Sequence, residues 1–184
     1  MNVWELRCAN IDDYAMVVPS ELDVLDGVFE IDGRPLDWKA IPIVEYADSR
    51  SRGKQKRAVA DVATIGPGAF VLSARALDVL GPFLRQFGQL LEVQTAGGAE
   101  FRHLYNVTTL VKCVDLERSE KSASGAVRSE VFYDINVPRS AAVFKDPLTA
   151  AVRVYTNDPG RELIERLVSE AGLTGIECGA PRRY

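Results

Sequence analysis

Histidine and cysteine are scarce in this sequence of 184 residues, and their scarcity excludes several kinds of chemistry. His103 is the single histidine, so any histidine-dependent mechanism would have to use it. In one continuous strand Cys113 would stand about 33 Å from it, which excludes a thiol–imidazole pair unless the chain folds back. No pair of cysteines or histidines has the spacing of metal ligands. We therefore expect no catalytic residue, no metal site and no cofactor.

Long apolar runs are also missing, and this bears on where the protein acts. No run approaches the roughly 20 residues that span a bilayer. The first residues, MNVWELRCANIDDY, place acids where a signal peptide needs basic and then apolar residues. Cys8, Cys113 and Cys178 form an odd set without close spacing, which argues against a disulfide framework and favours a reducing compartment. We expect a soluble, cytoplasmic protein with a single domain over residues 1–184.

Positive charge is scarce in the first quarter of the chain. The whole sequence has 22 basic and 26 acidic residues and a net charge of −4. Residues 1–48 contain eleven of the acids and three bases, so they carry −8 and the remainder carries +4. An acidic surface repels nucleic acid and attracts basic proteins over long range. Acidic charge can also serve solubility alone, and both interpretations stay open at this point.

A first amphipathic helix is predicted at about residues 74–87. Ser73 precedes it and is a residue type that caps helices well. The apolar residues recur with helical spacing and form one stripe, as in a helix that packs against a core. Gly81 and Pro82 interrupt the stripe, since proline lacks the amide that a helix interior needs, and they predict a kink or two short helices.

A second helix is predicted at about residues 159–171. Asp158 is the expected cap, and Pro159 then takes the first helical position, where its missing amide costs nothing. Gly172 is typical of the left-handed residue that ends a helix. The flanking runs 152–155 and 174–178 indicate strands, so a strand, helix and strand with a right-handed crossover is expected here.

Elsewhere, apolar alternation and short apolar runs predict strands. These cover residues 3–8, 15–18, 28–31, 41–46, 58–65, 69–72, 101–114, 131–137 and 141–144. The run 101–114 fits either one long strand or two strands with a bend between them. Asp32-Gly33 predicts a tight hairpin, Pro42 assigns its strand to a sheet edge, and the polar segment 118–129 predicts an exposed, mobile loop. Together these features predict an α+β fold with a mostly antiparallel or mixed sheet and two helices packed against it. Within the single domain we distinguish an acidic, strand-rich part, 1–58, from a core, 59–178.

One basic cluster, SRSRGKQKR at residues 49–57, has the charge density of an arm that contacts phosphates. It lacks interleaved aromatic residues on which bases could stack, and an acidic segment precedes it. A solvated loop accounts for it better, so we predict no nucleic-acid partner.

The strongest catalytic alternative is Asp37-Trp38-Lys39 with Asp23 or Asp26 upstream. Two carboxylates that hold a hard cation and a lysine that supports the attacking water would resemble a metal-dependent nuclease. Given the numbers of acids and lysines in the chain, composition alone accounts for about one such triplet. Chance therefore explains the pattern as well as nuclease chemistry does.

The segment 66–93 has the densest motifs of the chain, GPGAFVLSARALDVLGPFLRQFGQLLEV, and LYNVTTLVKCVDLERS follows at 104–119. With AVFK at 142–145 and VYTNDPGRELIERLVSEAGLTGIE at 154–177, they resemble immunity-protein family eleven of bacterial polymorphic toxin systems. The resemblance extends over about residues 61–177 and rests on structural motifs. One departure is Leu91-Glu92-Val93, where the family often has a proline, and it concerns a local bend.

What the resemblance implies is a non-catalytic protein that binds a cognate toxin and occludes it or locks it in an inactive shape. Our hypothesis is that the acidic part faces a basic toxin domain, such as a nuclease. The candidate partner-binding residues are Asp12, Asp13, Asp23, Asp26, Asp32, Asp37 and Trp38. Core packing is the competing interpretation of Trp38. A regulatory or interaction domain unrelated to toxins is a second alternative for the whole protein.

Overall fold

The computed structural model describes residues 1–9, 13–20, 28–47, 57–98 and 100–181, and its fold is α+β, as predicted. The helices are α1 (Ala74–Leu84) and α2 (Asp158–Ala171). The strands are β1 (Val3–Arg7), β2 (Met16–Pro19), β3 (Ile43–Ala47), β4 (Val62–Gly66), β5 (Ala69–Leu72), β6 (Gly88–Thr95), β7 (Phe101–Val107), β8 (Glu120–Lys121), β9 (Val127–Ser129), β10 (Val143–Phe144), β11 (Val154–Asn157) and β12 (Glu177–Gly179). In this part of the chain, neither helix has the length and apolar content that crossing a bilayer requires.

Apart from the hairpin β8–β9, the described strands form a sheet of four strands and a sheet of six, which we call the smaller and the larger sheet. The smaller sheet has the strand order β10-β11-β1-β12, and each neighbouring pair is antiparallel. Strands β11 and β12 therefore run in the same direction on either side of β1. Helix α2 connects them, so the predicted strand–helix–strand unit is present, with β1 inserted between its two strands. The first strand of the chain thus lies at the centre of a sheet that the C-terminal residues build.

The larger sheet has the order β2-β3-β6-β7-β5-β4. Strands β3 and β6 are parallel and the other neighbouring pairs are antiparallel. The two outer strands approach each other: Tyr14 bridges Ala58, and the amide of Ala15 donates to the carbonyl of Ala58 at 3.0 Å. The sheet therefore curls around an apolar interior.

Alternation along the strands assigns side chains to the two faces of this curled sheet. On β5, Ala69 and Val71 belong to the interior cluster with Val44 and Leu104. Phe70 and Leu72, the residues between them, pack on the outer face against the buried side of α1 and α2. One strand thus contributes to both cores, which explains why all four of its residues are buried.

The local signals for the helix ends are confirmed with small corrections. Ser73 caps α1 by accepting from the amide of Ala76 at 3.1 Å. A single helix continues through Pro82 and ends at Leu84, so the alternative of two helices and the end at residue 87 are both wrong. Gly88 begins β6 and pairs with Val107 on β7, and a Cβ there would lie 2.2 Å from the carbonyl oxygen of Asn106, so a side chain would not fit at this position.

The second helix has its cap one residue earlier than predicted. Asn157, not Asp158, accepts from the amide of Gly160 at 3.0 Å, and its side chain also donates to the carbonyls of Pro138 and Ser140. Gly172 ends the helix in the left-handed conformation, at φ 59° and ψ 40°, as predicted.

Three predictions in the acidic part are wrong. Residues 28–31 form no strand, and Asp32-Gly33 forms no hairpin, because the Asp32 carboxylate accepts from the amide of Arg34 at 3.1 Å and turns the chain locally. Strand β3 is not an edge strand, since it lies between β2 and β6. Pro42 precedes the strand, and its carbonyl accepts from Gln94 at 2.9 Å, so its missing amide removes no ladder hydrogen bond.

Two predictions between β7 and β10 need correction. The segment 118–129 is largely exposed, as predicted, but it contains the short hairpin β8–β9 instead of an irregular loop. The Ser119 hydroxyl holds the base of this hairpin by accepting from the amide of Val131 at 2.9 Å. The expected strand at 131–137 is a β-bridge at Phe132 followed by a 3₁₀ turn, Asp134–Asn136. Its alternating pattern finds no strand to pair with, and Ile135 is 84% exposed.

Candidate partner-binding surface

Four of the seven predicted partner-binding residues lie in the described part of the chain. The other three lie outside it: Asp12, Asp23 and Asp26. Of the described four, Asp13 is exposed in the turn that precedes β2. The remaining three belong to residues 28–42, which we call the Trp38 segment: Asp32, Asp37 and Trp38. This segment approaches β3 and is the place where the structure brings predicted residues together.

The Trp38 segment is held by hydrogen bonds despite its lack of regular structure. The side-chain amide of Gln89 accepts from the amide of Leu36 at 2.8 Å and donates to its carbonyl at 3.0 Å. Asn106 donates to the carbonyl of Arg34 at 2.8 Å. Because Gln89 and Asn106 are cross-strand partners on β6 and β7, the larger sheet fixes the backbone of this segment.

Lys145 fastens the same segment from the opposite direction. The side chain is completely buried, and its Nζ donates to the carbonyls of Ile31 and, at 2.7 Å, Ala150. Burial lowers the pKa of Lys145 to about 8, against an opposing effect from the charge of Asp32. One ammonium therefore joins the Trp38 segment to the loop before β11.

The low pKa of Lys145 predicts a specific pH dependence of stability. The unfolded chain holds this proton up to a pKa near 10.5, so between pH 8 and 10.5 it binds more protons than the folded chain. Stability from this group therefore rises with pH in that range, by about 3 kcal/mol in total. We expect Lys145→Met to lack this rise. The check is the difference in unfolding free energy between wild type and variant, measured in urea from pH 7.5 to 10.5.

The matched control for this measurement is Lys112→Met, which alters an exposed lysine. Cysteines and tyrosines that titrate in the same range are present in all three proteins and cancel in the difference. A difference between wild type and Lys145→Met that is independent of pH would contradict the assignment.

Asp32 and Asp37 differ in whether a neighbouring side chain compensates their negative charge. The guanidinium of Arg34 lies 2.7 Å from the Asp32 carboxylate, and this hydrogen bond lowers the pKa of Asp32. The charge of Asp32 is therefore largely compensated within its own segment. Asp37 is exposed and lines a pocket beside Trp38. Of the two, Asp37 is the better candidate for attracting a basic partner.

Trp38 is partly buried and combines a structural role with an accessible surface. Its indole Nε1 donates to the carbonyl of Val28 at 2.8 Å, and its ring meets Phe29 edge-on with 5.7 Å between centroids. These contacts agree with the packing interpretation of Trp38. The residue also lines a pocket of about 350 Å³, which we call the Trp38 pocket. Its walls include Asp37, Lys39, Ala40, Ile41 and Ile43.

Next to this pocket, one half of the outer face of the larger sheet is open to solvent. Ile43 on β3 is in register with Gln94 on β6, and Gln94 with Phe101 on β7, so the three side chains share the face opposite the curled interior. Ile41, Ile43 and Phe101 are 48%, 44% and 46% exposed. We call these three residues the sheet-face patch.

The other half of that face is covered by α1. Leu90 and Tyr105, paired across β6 and β7, pack in the cluster that contains the buried side of this helix. The Tyr105 hydroxyl donates to the carbonyl of Leu84 at 3.0 Å. The helix therefore seals the face up to His103, and the sheet-face patch begins beyond it.

Negative charge borders the sheet-face patch. Glu45 follows Ile43 on the same face of β3, and Glu92 precedes Gln94 on the same face of β6. Both are exposed, as is Asp37 on the pocket side. Lys39, which lines the pocket together with Asp37, carries the opposite charge. A surface of this kind favours a partner with apolar side chains and positive charge around them.

Two other pockets contain charged residues that already pair with one another. One, of about 400 Å³, is lined by Asp32 and Arg34, which form the ion pair described above. The other, of about 220 Å³, is lined by Glu5 and Arg7, whose charged groups approach to 3.7 Å. Because these charges are compensated, the Trp38 pocket is the better candidate for binding.

The described residues add no support for either catalytic alternative, the pair of His103 and Cys113 or the metal site at Asp37 and Lys39. His103 lies in β7, and β7 ends at Val107, so the chain to Cys113 is not one strand as the spacing argument assumed. Burial raises the pKa of the Cys113 thiol to about 12, which disfavours the thiolate. Within the described ranges no group of three potential metal ligands occurs. The acids that would join Asp37 and Lys39, Asp23 and Asp26, lie outside them.

Comparison with known protein families and with curated protein sequences finds no match for this chain. The resemblance to the immunity proteins therefore stays a prediction from the sequence motifs.

Proposed function

We propose that this protein is an immunity protein, which binds a bacterial toxin domain in the cytoplasm and neutralises it without catalysing a reaction. The sheet-face patch carries the proposal. An apolar surface beside a pocket and bordered by carboxylates is typical of a protein-binding site rather than of a bare sheet face. The sequence motifs support a toxin as the class of partner, and the carboxylates favour a basic toxin domain, such as a nuclease.

In this proposal the patch supplies two separate contributions to binding. The apolar side chains of Ile41, Ile43 and Phe101 lose water when the toxin covers them, and this slows dissociation. The carboxylates of Asp37, Glu45 and Glu92 attract a basic surface from a distance, and this speeds association at low salt. A protein that must capture its toxin before damage occurs needs both.

Disrupting the patch is expected to abolish protection. The double variant Ile43→Lys, Phe101→Lys places two ammonium groups in the centre of the proposed interface, where they oppose a basic partner and a desolvated contact. We expect at least 30-fold weaker binding, about 2 kcal/mol. The test is co-expression with the product of the adjacent gene, with growth rescue and co-purification as the two measurements.

The matched control is Leu148→Lys, which adds a lysine at an apolar residue that is 50% exposed in the loop before β11. It should leave rescue and co-purification unchanged. If the double variant protects as well as wild type, the patch is not the interface. If wild type neither protects nor co-purifies, the protein is not an immunity protein for that toxin.

A metal-dependent enzyme would behave differently in a simpler experiment. Tight binding of Mg²⁺ or Mn²⁺ by the purified protein, lost in Asp37→Ala, would support the nuclease alternative and contradict a purely binding role. We expect calorimetry to detect no such binding.

A further inference from the structure

The Trp38 pocket and the sheet-face patch form one continuous surface. Ile41 and Ile43 belong to both, because they line the pocket and are also among the exposed apolar residues of the sheet face. A partner that covers the patch therefore also covers the mouth of the pocket. In such a complex, the group that fills the pocket would come from that partner.

The pocket is built on a rigid support. Trp38 is held by its hydrogen bond to Val28 and its edge contact with Phe29. The backbone on its N-terminal side is fixed by Gln89, and on its C-terminal side the carbonyl of Pro42 accepts from Gln94. A pocket whose walls are ordered before binding loses little conformational entropy when it is filled.

The size and chemistry of the pocket define its occupant. A volume of about 350 Å³ lies near the lower end of the roughly 300–1,000 Å³ of pockets that enclose small ligands. Trp38, Ala40, Ile41 and Ile43 provide apolar walls. The charges of Asp37 and Lys39 have opposite sign, so the pocket favours neither an anion nor a cation. It suits a bulky, uncharged side chain.

The surroundings define what flanks that side chain. Beyond the pocket, among the described residues of β3 and β6, the charges on this sheet face are the carboxylates of Glu45 and Glu92. Residues that follow or precede the inserted side chain would lie against these carboxylates. Complementary charge therefore requires lysine or arginine there.

We infer that the Trp38 pocket binds one aromatic or large aliphatic side chain of the partner, presented by a segment with basic residues on either side. This inference rests on the proposed function, since it specifies the part of the toxin that contacts the patch. In such an interface the inserted side chain is the central anchor, and the surrounding basic residues contact the carboxylates at the rim.

The test uses two synthetic peptides of equal charge, in which lysines flank a central tryptophan or a central serine. Each is titrated into labelled wild-type protein, and NMR follows the indole N–H of Trp38 and the methyl groups of Ile41 and Ile43. The indole of Trp4 is an internal control, because its N–H donates to Asp158 at the start of α2. We expect the Trp38 signals to shift, the Trp4 signal to stay, and the tryptophan peptide to bind at least tenfold more tightly.

Two variants separate the pocket from the charges. Ala40→Tyr fills the pocket from an exposed position and should remove the preference for tryptophan over serine. Glu92→Lys should weaken both peptides about equally. Glu170→Lys, an exposed substitution on α2, should alter neither titration.

Three outcomes would overturn the inference. The two peptides could bind equally, the shifts could map away from the Trp38 pocket, or free indole could bind as tightly as the tryptophan peptide, which would indicate a small-molecule site. No toxin takes part in these titrations. Failure here with intact growth rescue would reject the anchor alone, whereas peptide binding without rescue would reject the proposed function.

Discussion

Replacing Arg153 with methionine is expected to lower the free energy of unfolding by about 3–5 kcal/mol, because it removes the buried cation that stabilises the carboxylates of Glu5 and Glu130. The guanidinium lies 3.1 Å from Glu5 on β1 and 2.5 Å from Glu130, and all three side chains are almost completely buried. Tyr155 on β11 also donates to Glu130, at 3.0 Å. This cluster joins the centre of the smaller sheet to the segment that follows β9.

The loss in the Arg153 variant should depend on pH in a known direction. Burial raises the pKa of Glu130 in the wild type, and Arg153 opposes that rise. Without Arg153 the pKa of Glu130 goes higher, so the folded variant binds a proton more readily than the unfolded chain. The deficit should therefore shrink as the pH falls towards 4.5. Urea unfolding from pH 8 to pH 4.5 measures it.

The control for this prediction is Arg166→Met, an exposed substitution on α2 that should change stability by less than about 0.5 kcal/mol. Adding Glu130→Gln to Arg153→Met removes one uncompensated charge and should restore part of the loss. A single variant as stable as wild type would mean that water, not Arg153, stabilises these carboxylates.

The second large effect is expected for Gly175→Ala, at about 2–6 kcal/mol, since strain and overpacking act together. Gly175 has φ +86°, and a Cβ there would lie 2.0 Å from the carbonyl oxygen of Val62 on β4. Its own carbonyl accepts from the amide of Ala9 at 3.1 Å, just beyond β1. The residue thus lies where the two sheets meet, and no flexible side chain can move aside.

Gly125→Ala is a matched control, because Gly125 has almost the same φ, +85°, and nothing within 4 Å of the added Cβ. It should lose only the strain component, about 1–2 kcal/mol. The difference between the two midpoints of thermal unfolding isolates the close approach to Val62. Equal losses at both positions would show that the sheets can separate slightly without cost.

The helices could be predicted from the sequence because their signals are local. Ser73 and Gly172 act on amides and carbonyls within four residues, so a short window of sequence is enough to predict their roles. The cap of α2 was misplaced by one residue because Asn157 and Asp158 are both good caps. Tertiary contacts decided between them, since the Asp158 carboxylate accepts instead from the indole of Trp4, at 2.8 Å.

The strands were harder to predict because pairing is a property of two segments. Residues 131–137 alternate like a strand, but an alternating pattern contains no information about whether a neighbouring strand is present. Pro42 appeared to exclude the centre of the sheet, but it stands one residue before the first residue of β3, where its amide is not needed. Both errors arose because the residues of one segment do not show which strand pairs with it or where that pairing begins.

The candidate surface could be predicted in part. The excess of acids in residues 1–48 indicated Asp37 and Trp38, which do border the Trp38 pocket. Ile43, Glu92 and Phe101 were missed, because no motif connects them. They become neighbours only when β3 pairs in parallel with β6 and β6 pairs with β7.

The sequence by itself determined the α+β class, the presence of the two helices, the start of α1 and the end of α2, and the uneven distribution of charge, since each depends on composition or on contacts between residues a few positions apart. The tertiary structure alone decided the strand order, the curl of the larger sheet and the half of its outer face that α1 leaves open. These features depend on contacts between segments that lie far apart in the chain. Such segments pack so that apolar side chains become buried in the interior of the larger sheet and also between its outer face and the helices.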